Sequence, residues 1–279
     1  MASMTGRTCV VTGATAGIGR VIALGLAELG GTVLAAGRNT DKGATLERAA
    51  ARLPGSLRFV RGDVSTMVGV AELAEQITGL APAIDVLVGN AGGFFWKRET
   101  TAEGLERTFA LNHLGYARVV EALLPAVTAA QGRIVLTASE AHRGASLDFE
   151  DLQMASGYNG WRAYQRSKLM NILYTRAMAD RLEGTGVTID CFHPGFVASE
   201  IGDNNRGLPG VLMGLAKRIF ALTPEQGADT ALWLATRAEA GTGGGYFIKR
   251  TRTDPTPQAR DGTSGARLLA ATEPFLVGL

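Results

Sequence analysis

Thr8-Cys9-Val10-Val11-Thr12-Gly13-Ala14-Thr15-Ala16-Gly17-Ile18-Gly19 is the stretch whose reading decides the fold. The first five residues form a short β-rich run, and a helical pattern follows over Ile18–Leu29. Between them lies a turn with glycine at positions 13, 17 and 19. Such glycines let the backbone turn sharply and approach a phosphate with no side chain in the way. The helix start then presents N–H groups and the positive end of the helix dipole. The spacing is G-x-x-x-G-x-G rather than the general G-x-G-x-x-G, and a chain with 37 glycines produces such triples by chance. Placement between a first strand and a first helix is what carries the phosphate-binding reading, in which Gly13, Thr15, Ala16, Gly17, Ile18 and Gly19 form the cradle.

Outward from this turn, β-rich and helical stretches alternate. Strands are expected at Thr8–Thr12, Thr32–Ala36, Leu57–Arg61, Asp85–Val88, Arg133–Ala138, Val187–Phe192 and Tyr246–Ile248. Helices are expected at Ile18–Leu29, Ala44–Leu53, Val68–Ile77, Glu103–Ala129, Trp161–Leu182 and Pro224–Thr236. The last has Thr223 as cap, Pro224 at the first helical position and Gln226 placed for a capping box. Continuous apolar runs such as Ile84–Val88 and Ile134–Leu136 suit parallel strands covered on both faces. The pattern predicts an α/β fold: one domain over residues 1–279, a doubly wound (Rossmann) parallel sheet of about seven strands with helices on both faces. Residues 198–221 break the rhythm and read either as a lid over a site or as a surface helix that fills the core. Residues 251–279 are expected to form an irregular tail.

Composition narrows the function. Hydrophobic residues make up 46% and charged residues 19%, which suits a large buried core. The net charge is only +2, with no dense basic stripe, so nothing supports nucleic-acid binding. The first residues lack a signal-peptide pattern, and no window reaches the ~18 apolar residues of a membrane span. The expectation is a cytoplasmic protein with Cys9 and Cys191 as buried thiols inside strands. The histidines have no ligand-like spacing, so no metal site is expected.

Residues at the strand ends point to a dinucleotide. In an NAD-binding chain an acidic residue near the end of the second strand holds the ribose 2′-hydroxyl. Here Arg38 follows Ala35-Ala36-Gly37, and its guanidinium suits a 2′-phosphate. NADP(H) is therefore favoured over NAD(H), against the alternative of a solvated surface arginine. Asp63-Val64 ends the third strand, with Asp63 placed to accept a hydrogen bond from an adenine amino group. Asn90-Ala91-Gly92 ends the fourth; Asn90 reads chiefly as a brace between strands, and Gly92 as a close approach to the cofactor.

The reactive constellation is Tyr164 and Lys168 at i, i+4, on one face of a helix. A tyrosine titrates near ~10 in water, and a nearby ammonium pulls that value down. The same lysine can hold a ribose and relay protons. Ser139, at the end of the fifth strand, is placed to hydrogen-bond a substrate oxygen. Asn112 reads either as the anchor of a water joining Lys168 to solvent or as a locally satisfied helix amide. His142 either lines the pocket or sits in an exposed loop. Phe94, Phe95 and Trp96 either wall an apolar pocket or pack under a loop.

Taken together and in order, Thr12-Gly13-x-x-x-Gly17-Ile18-Gly19, Asn90-Ala91-Gly92, Asn112, Ser139, Tyr164-x-x-x-Lys168 and Pro194-Gly195 resemble the short-chain dehydrogenase/reductase family. Leu111–Gly115, Phe149–Gln153, Ser167–Leu173, Cys191–Gly195 and Tyr246-Phe247 resemble its retinol-dehydrogenase-like branch. The resemblance implies a catalytic tetrad of Asn112, Ser139, Tyr164 and Lys168. It also implies that Pro194, Gly195 and Val197 lie beside the nicotinamide, and that the chain forms a homodimer or homotetramer. The expected activity is NADP(H)-dependent reduction of a ketone or aldehyde with apolar character, or the reverse reaction. The alternatives are an NAD-dependent secondary-alcohol dehydrogenase, a non-catalytic dinucleotide-binding sensor and, on a related fold, a sugar-nucleotide epimerase.

Overall fold

The computed structural model describes residues 1–196, 222–237 and 243–277. Eight strands form one sheet in the order β3-β2-β1-β4-β5-β6-β7-β8. They span Thr8–Thr12 (β1), Thr32–Gly37 (β2), Ser56–Arg61 (β3), Val86–Gly89 (β4), Arg133–Thr137 (β5), Thr188–His193 (β6), Tyr246–Ile248 (β7) and Thr251–Arg252 (β8). All neighbours pair in parallel except β7 and β8. The doubly wound fold is as expected, with one strand more: the two-residue β8 turns back on β7 through Lys249 and Arg250, both at positive φ. The chain reverses direction across the sheet between β1 and β4, so the strand ends there open a crevice, the usual ligand position in such sheets.

The longer described helices are α1 (Gly17–Glu28), α2 (Thr40–Ala50), α3 (Met67–Leu80), α4 (Gly115–Ala129), α5 (Gly160–Arg181), α6 (Pro224–Thr236) and α7 (Gly262–Thr272). One face of the sheet buries Ile22, Leu26, Leu46 and Ala231 from α1, α2 and α6. The other buries Leu73 and Ile77 of α3, Leu123 of α4, and Ile172 and Leu173 of α5. With both faces covered, the central strands β1, β4 and β5 are mainly apolar and buried, and Cys9 and Cys191 are buried free thiols in β1 and β6. No helix among the described residues is long and apolar enough to cross a membrane.

Two expectations need correction. The helix expected from Glu103 begins only at Arg107: Gly104 takes a left-handed turn at φ 75°, and the Glu106 carboxylate accepts the amides of Thr108 and Phe109. A π-helical turn over Ala110–Leu114 then precedes α4. The tail is not irregular either. After β8 and a short turn at Gln258–Arg260, helix α7 starts under an Asp261 cap that accepts the amides of Thr263 and Ser264. It docks through fully buried Leu268, a His113 Nε2–Thr272 Oγ1 hydrogen bond of 3.2 Å, and Arg118 Nε donating to Phe275 O at 3.1 Å. Residues 198–221, expected as lid or surface helix, lie outside the described residues.

Candidate active site

The crevice at the β1/β4 switch is built by close backbone approach. A Cβ on Gly13 would stand 2.8 Å from the Ala91 Cα, and one on Gly19 2.3 Å from the Gly13 carbonyl oxygen. Gly13 also has φ 64°, in the left-handed region that favours glycine. Asn90 braces the two strands: its Nδ2 donates to Thr12 O at 3.2 Å, while its N–H donates to Thr12 Oγ1 at 3.0 Å. The brace holds the start of α1 against the loop after β4.

That helix start is chemically distinctive. Among the described α-helices that begin from a loop, α2, α3, α5, α6 and α7 each carry a side-chain cap, from Asn39, Thr66, Asn159, Thr223 and Asp261. Helix α1 has Ala16 at that position and no side-chain cap. Its first N–H groups therefore face the crevice without an internal acceptor, the donor set a pyrophosphate needs. The crevice is lined by Gly13, Thr15, Ala16, Gly17, Ile18, Arg38, Asp63, Val64, Asn90, Ala91 and Gly92, all expected there. Gly37, Gly62, Gly93 and Leu111 line it too and were not anticipated. A dinucleotide fits this donor set, with Arg38 and Asp63 at its far end, 3.8 Å apart. Pro194 and Gly195 follow β6, outside this crevice lining, and Val197 lies outside the described residues.

At the other end, α5 sets Tyr164 and Lys168 one turn apart, facing the end of β5. Lys168 is 3% exposed and its Nζ donates to Thr137 O at 3.2 Å. That carbonyl also accepts from Asn171 Nδ2 at 3.3 Å. Burial pulls the Lys168 ammonium down to about 8. The ammonium lies 5.5 Å from the centre of the Tyr164 ring. Burial pushes the Tyr164 phenol up to about 12, partly offset by a hydrogen bond with the Ser139 side chain. The expected lowering by the Lys168 ammonium is outweighed here by burial. Ser139 Oγ also accepts the Ala141 amide at 3.2 Å, which fixes its position.

Asn112 sits in the π-helical turn and is fully buried. Its Oδ1 accepts the Gly93 amide at 2.8 Å, while its Nδ2 donates to Gly93 O at 2.9 Å and Ser167 Oγ at 3.2 Å. The side chain is thereby committed to joining the loop after β4 with α5. His142 is neither exposed nor in the pocket. It is fully buried: Nδ1 donates to Ser139 O at 2.7 Å, and Nε2 accepts the Thr256 amide at 3.3 Å. These roles fix a neutral imidazole, and burial lowers its pKa.

The aromatic residues divide. Phe95 is buried under the Arg107 guanidinium, 4.3 Å from its ring centre. Phe94 packs edge-on against Trp96 at 4.7 Å, Tyr164 at 5.7 Å and Trp161 at 6.2 Å. Trp161, which sequence reasoning passed over, stacks on Tyr164 with centres 5.9 Å apart and planes 23° from parallel. Its position three residues before Tyr164 on one helix was the available signal.

A family model described as short chain dehydrogenase matches residues 7–207. The chain belongs to the short-chain dehydrogenase/reductase family. Within that family it is 36% identical to retinol dehydrogenase 14 of Homo sapiens, over 99% of this chain and 88% of that one. It is also 36% identical, over 96% of this chain and 92% of the other, to the protein named "Putative daunorubicin C-13 ketoreductase DnrU" of Streptomyces sp. (strain C5). The structure of the Pseudomonas aeruginosa RhlG/NADP active-site complex superposes with a TM-score of 0.71 at 26% identity, covering 88% of this chain and 95% of that one. The resemblance to retinol-dehydrogenase-like sequences is borne out. As a short-chain dehydrogenase/reductase, the protein is an NAD(P)-dependent oxidoreductase acting on CH–OH or C=O groups of a small molecule.

Proposed function

We propose that the protein reduces a ketone or aldehyde with NADPH, and that Tyr164 gives its phenolic proton to the carbonyl oxygen. One arrangement carries this reading: the Tyr164 phenol has the Ser139 side chain as hydrogen-bond partner and the buried Lys168 ammonium 5.5 Å from its ring centre. When bound, the reduced nicotinamide supplies the hydride that reaches the carbonyl carbon. Ser139 holds and polarises the carbonyl oxygen between its own hydroxyl and that of Tyr164. As the C=O π pair moves onto oxygen, the Tyr164 O–H bond breaks and the alcohol O–H forms. Lys168 then stabilises the phenolate until it regains a proton. Asn112 acts at one remove, by fixing the Gly93 backbone between the crevice and α5.

Arg38 supports NADPH over NADH. It follows β2 with its side chain 61% exposed and lines the crevice. Arg20 and Lys42, with Asp41, line an adjoining recess beside Thr15, and the two cations add positive potential near a 2′-phosphate. Alcohol oxidation is the reverse of the same steps, with the Tyr164 oxygen as base. Loss of NADPH absorbance across a panel of aliphatic and aryl ketones and aldehydes tests the proposal. Turnover with NADPH exceeding that with NADH supports it; oxidation of alcohols with NAD alone overturns it.

A further inference from the structure

Trp161 has no part in the proton chemistry, yet it is packed directly on the residue that performs it. Large apolar side chains in this protein are buried almost throughout; Trp161 is among the few described exceptions, at 47% exposed. An apolar ligand laid against this ring would bury surface that now stands in water. One face of the indole is stacked near-parallel on the Tyr164 ring, and Phe94 meets it edge-on.

The wall is rigid. A Cβ on Gly160 would lie 2.2 Å from Phe95 O and 2.8 Å from the Trp96 Cα, so the first turn of α5 rests directly on the loop after β4. Tyr158 Oη donates to that same Phe95 carbonyl at 3.2 Å, and Asn112 pins the loop at Gly93. The backbone that carries Trp161 is therefore fixed before any substrate arrives, which lowers the entropy lost on binding.

We propose that Trp161 is the substrate-positioning residue of this enzyme and selects ketones whose carbonyl is conjugated to a flat aromatic ring. The proposal rests on the reading that Tyr164 protonates the carbonyl oxygen. Conjugation keeps the aryl ring coplanar with the C=O group. With the oxygen at Tyr164 and Ser139, that ring extends as a flat plate onto the indole. A saturated ring of similar size is puckered and lacks a π face, so it gains apolar contact without the stacking increment.

The test compares 2-acetylnaphthalene with 1-cyclohexylethanone, in wild type and in Trp161→Leu, Trp161→Phe and Tyr164→Phe variants, with NADPH. The wild type is expected to prefer the aryl ketone in kcat/KM. Trp161→Leu should lower the aryl-to-saturated ratio about 3- to 10-fold, mainly through KM of the aryl ketone, and Trp161→Phe should restore much of it. A ratio unchanged in Trp161→Leu overturns the proposal, as does a wild type that does not reduce the aryl ketone. Tyr164→Phe separates the two readings: it should lower turnover of both ketones by about 10²–10⁴-fold whatever the ratio does. If Tyr164→Phe stays active, the acid assignment fails; if it is inactive while the Trp161→Leu ratio is unmoved, only the positioning role fails.

Discussion

Lys168 Nζ donates a hydrogen bond to the carbonyl of Thr137 at 3.2 Å, tying α5 to the end of β5 two residues before Ser139. The bond fixes the Lys168 side chain against the end of β5 but leaves an ammonium almost wholly buried. Unfolded, the side chain titrates near its ordinary 10.5; folded, burial lowers it to about 8. Between those values the unfolded chain binds a proton that the folded chain does not, so stability rises with pH across the window and is lowest below it. Lys168→Met is therefore expected to be more stable than wild type at pH 7, by roughly 1–3 kcal/mol, while losing activity. Urea unfolding at pH 7 and pH 10 checks this. A variant less stable at pH 7 than wild type, or a gap that does not shrink at pH 10, contradicts it.

His113 gives the opposite end of the pH scale. It is buried against Thr272 of α7, and burial lowers its pKa to about 4. The unfolded imidazole titrates near ~6.5, so below that pH the unfolded chain takes up a proton that the folded chain refuses. Stability should fall as pH drops from about 6.5 toward 4, by about 2 kcal/mol at pH 5 from this group alone. His113→Gln keeps a donor for Thr272 and does not titrate. Its stability at pH 5 should approach its own value at pH 7 more closely than wild type does. Equal pH 7-to-pH 5 losses in the two proteins would falsify the assignment.

Much of this was legible in the sequence because it rests on local rules. The glycine turn, the Thr223 capping box and the apolar parallel strands have short-range causes, and all lie where expected. The two misread segments owe their structure to partners far along the chain. Helix α7 and the turn after it are docked by His113 and Arg118, more than a hundred positions earlier. The π-helical turn exists where Asn112 reaches across to Gly93, a contact no periodicity encodes. His142 was misplaced for the same reason, since the donor to its Nε2 is Thr256. Trp161 was hidden by its neighbours: Tyr164 and Lys168 drew the reading of that helix, and an aromatic at its first turn reads as packing.

The far end of the crevice offers a test of cofactor choice. Arg38 faces Asp63 at 3.8 Å, and both side chains are open to solvent, so the pair contributes little to stability. Its guanidinium is available to a phosphate. Removing a hydrogen bond to a charged group costs about 1.5–3 kcal/mol, so Arg38→Ala should weaken NADPH about 10- to 100-fold. NADH affinity should change by less than about 3-fold, because the 2′-hydroxyl has no charge to lose. Titration of both cofactors by nicotinamide fluorescence checks this, and parallel losses for the two would remove Arg38 from the specificity argument.

The central claim is that the Tyr164 hydroxyl delivers the proton, and replacing only that oxygen tests it most directly. Tyr164→Phe keeps the ring that packs on Phe94 and Trp161. Single-turnover reduction of 2-acetylnaphthalene should be followed by NADPH absorbance, with NADPH affinity measured alongside. The expected result is affinity within about 3-fold of wild type and a rate lower by about 10²–10⁴-fold, the usual worth of a general acid. A variant that binds NADPH normally and reduces the ketone at a near-normal rate would contradict the account.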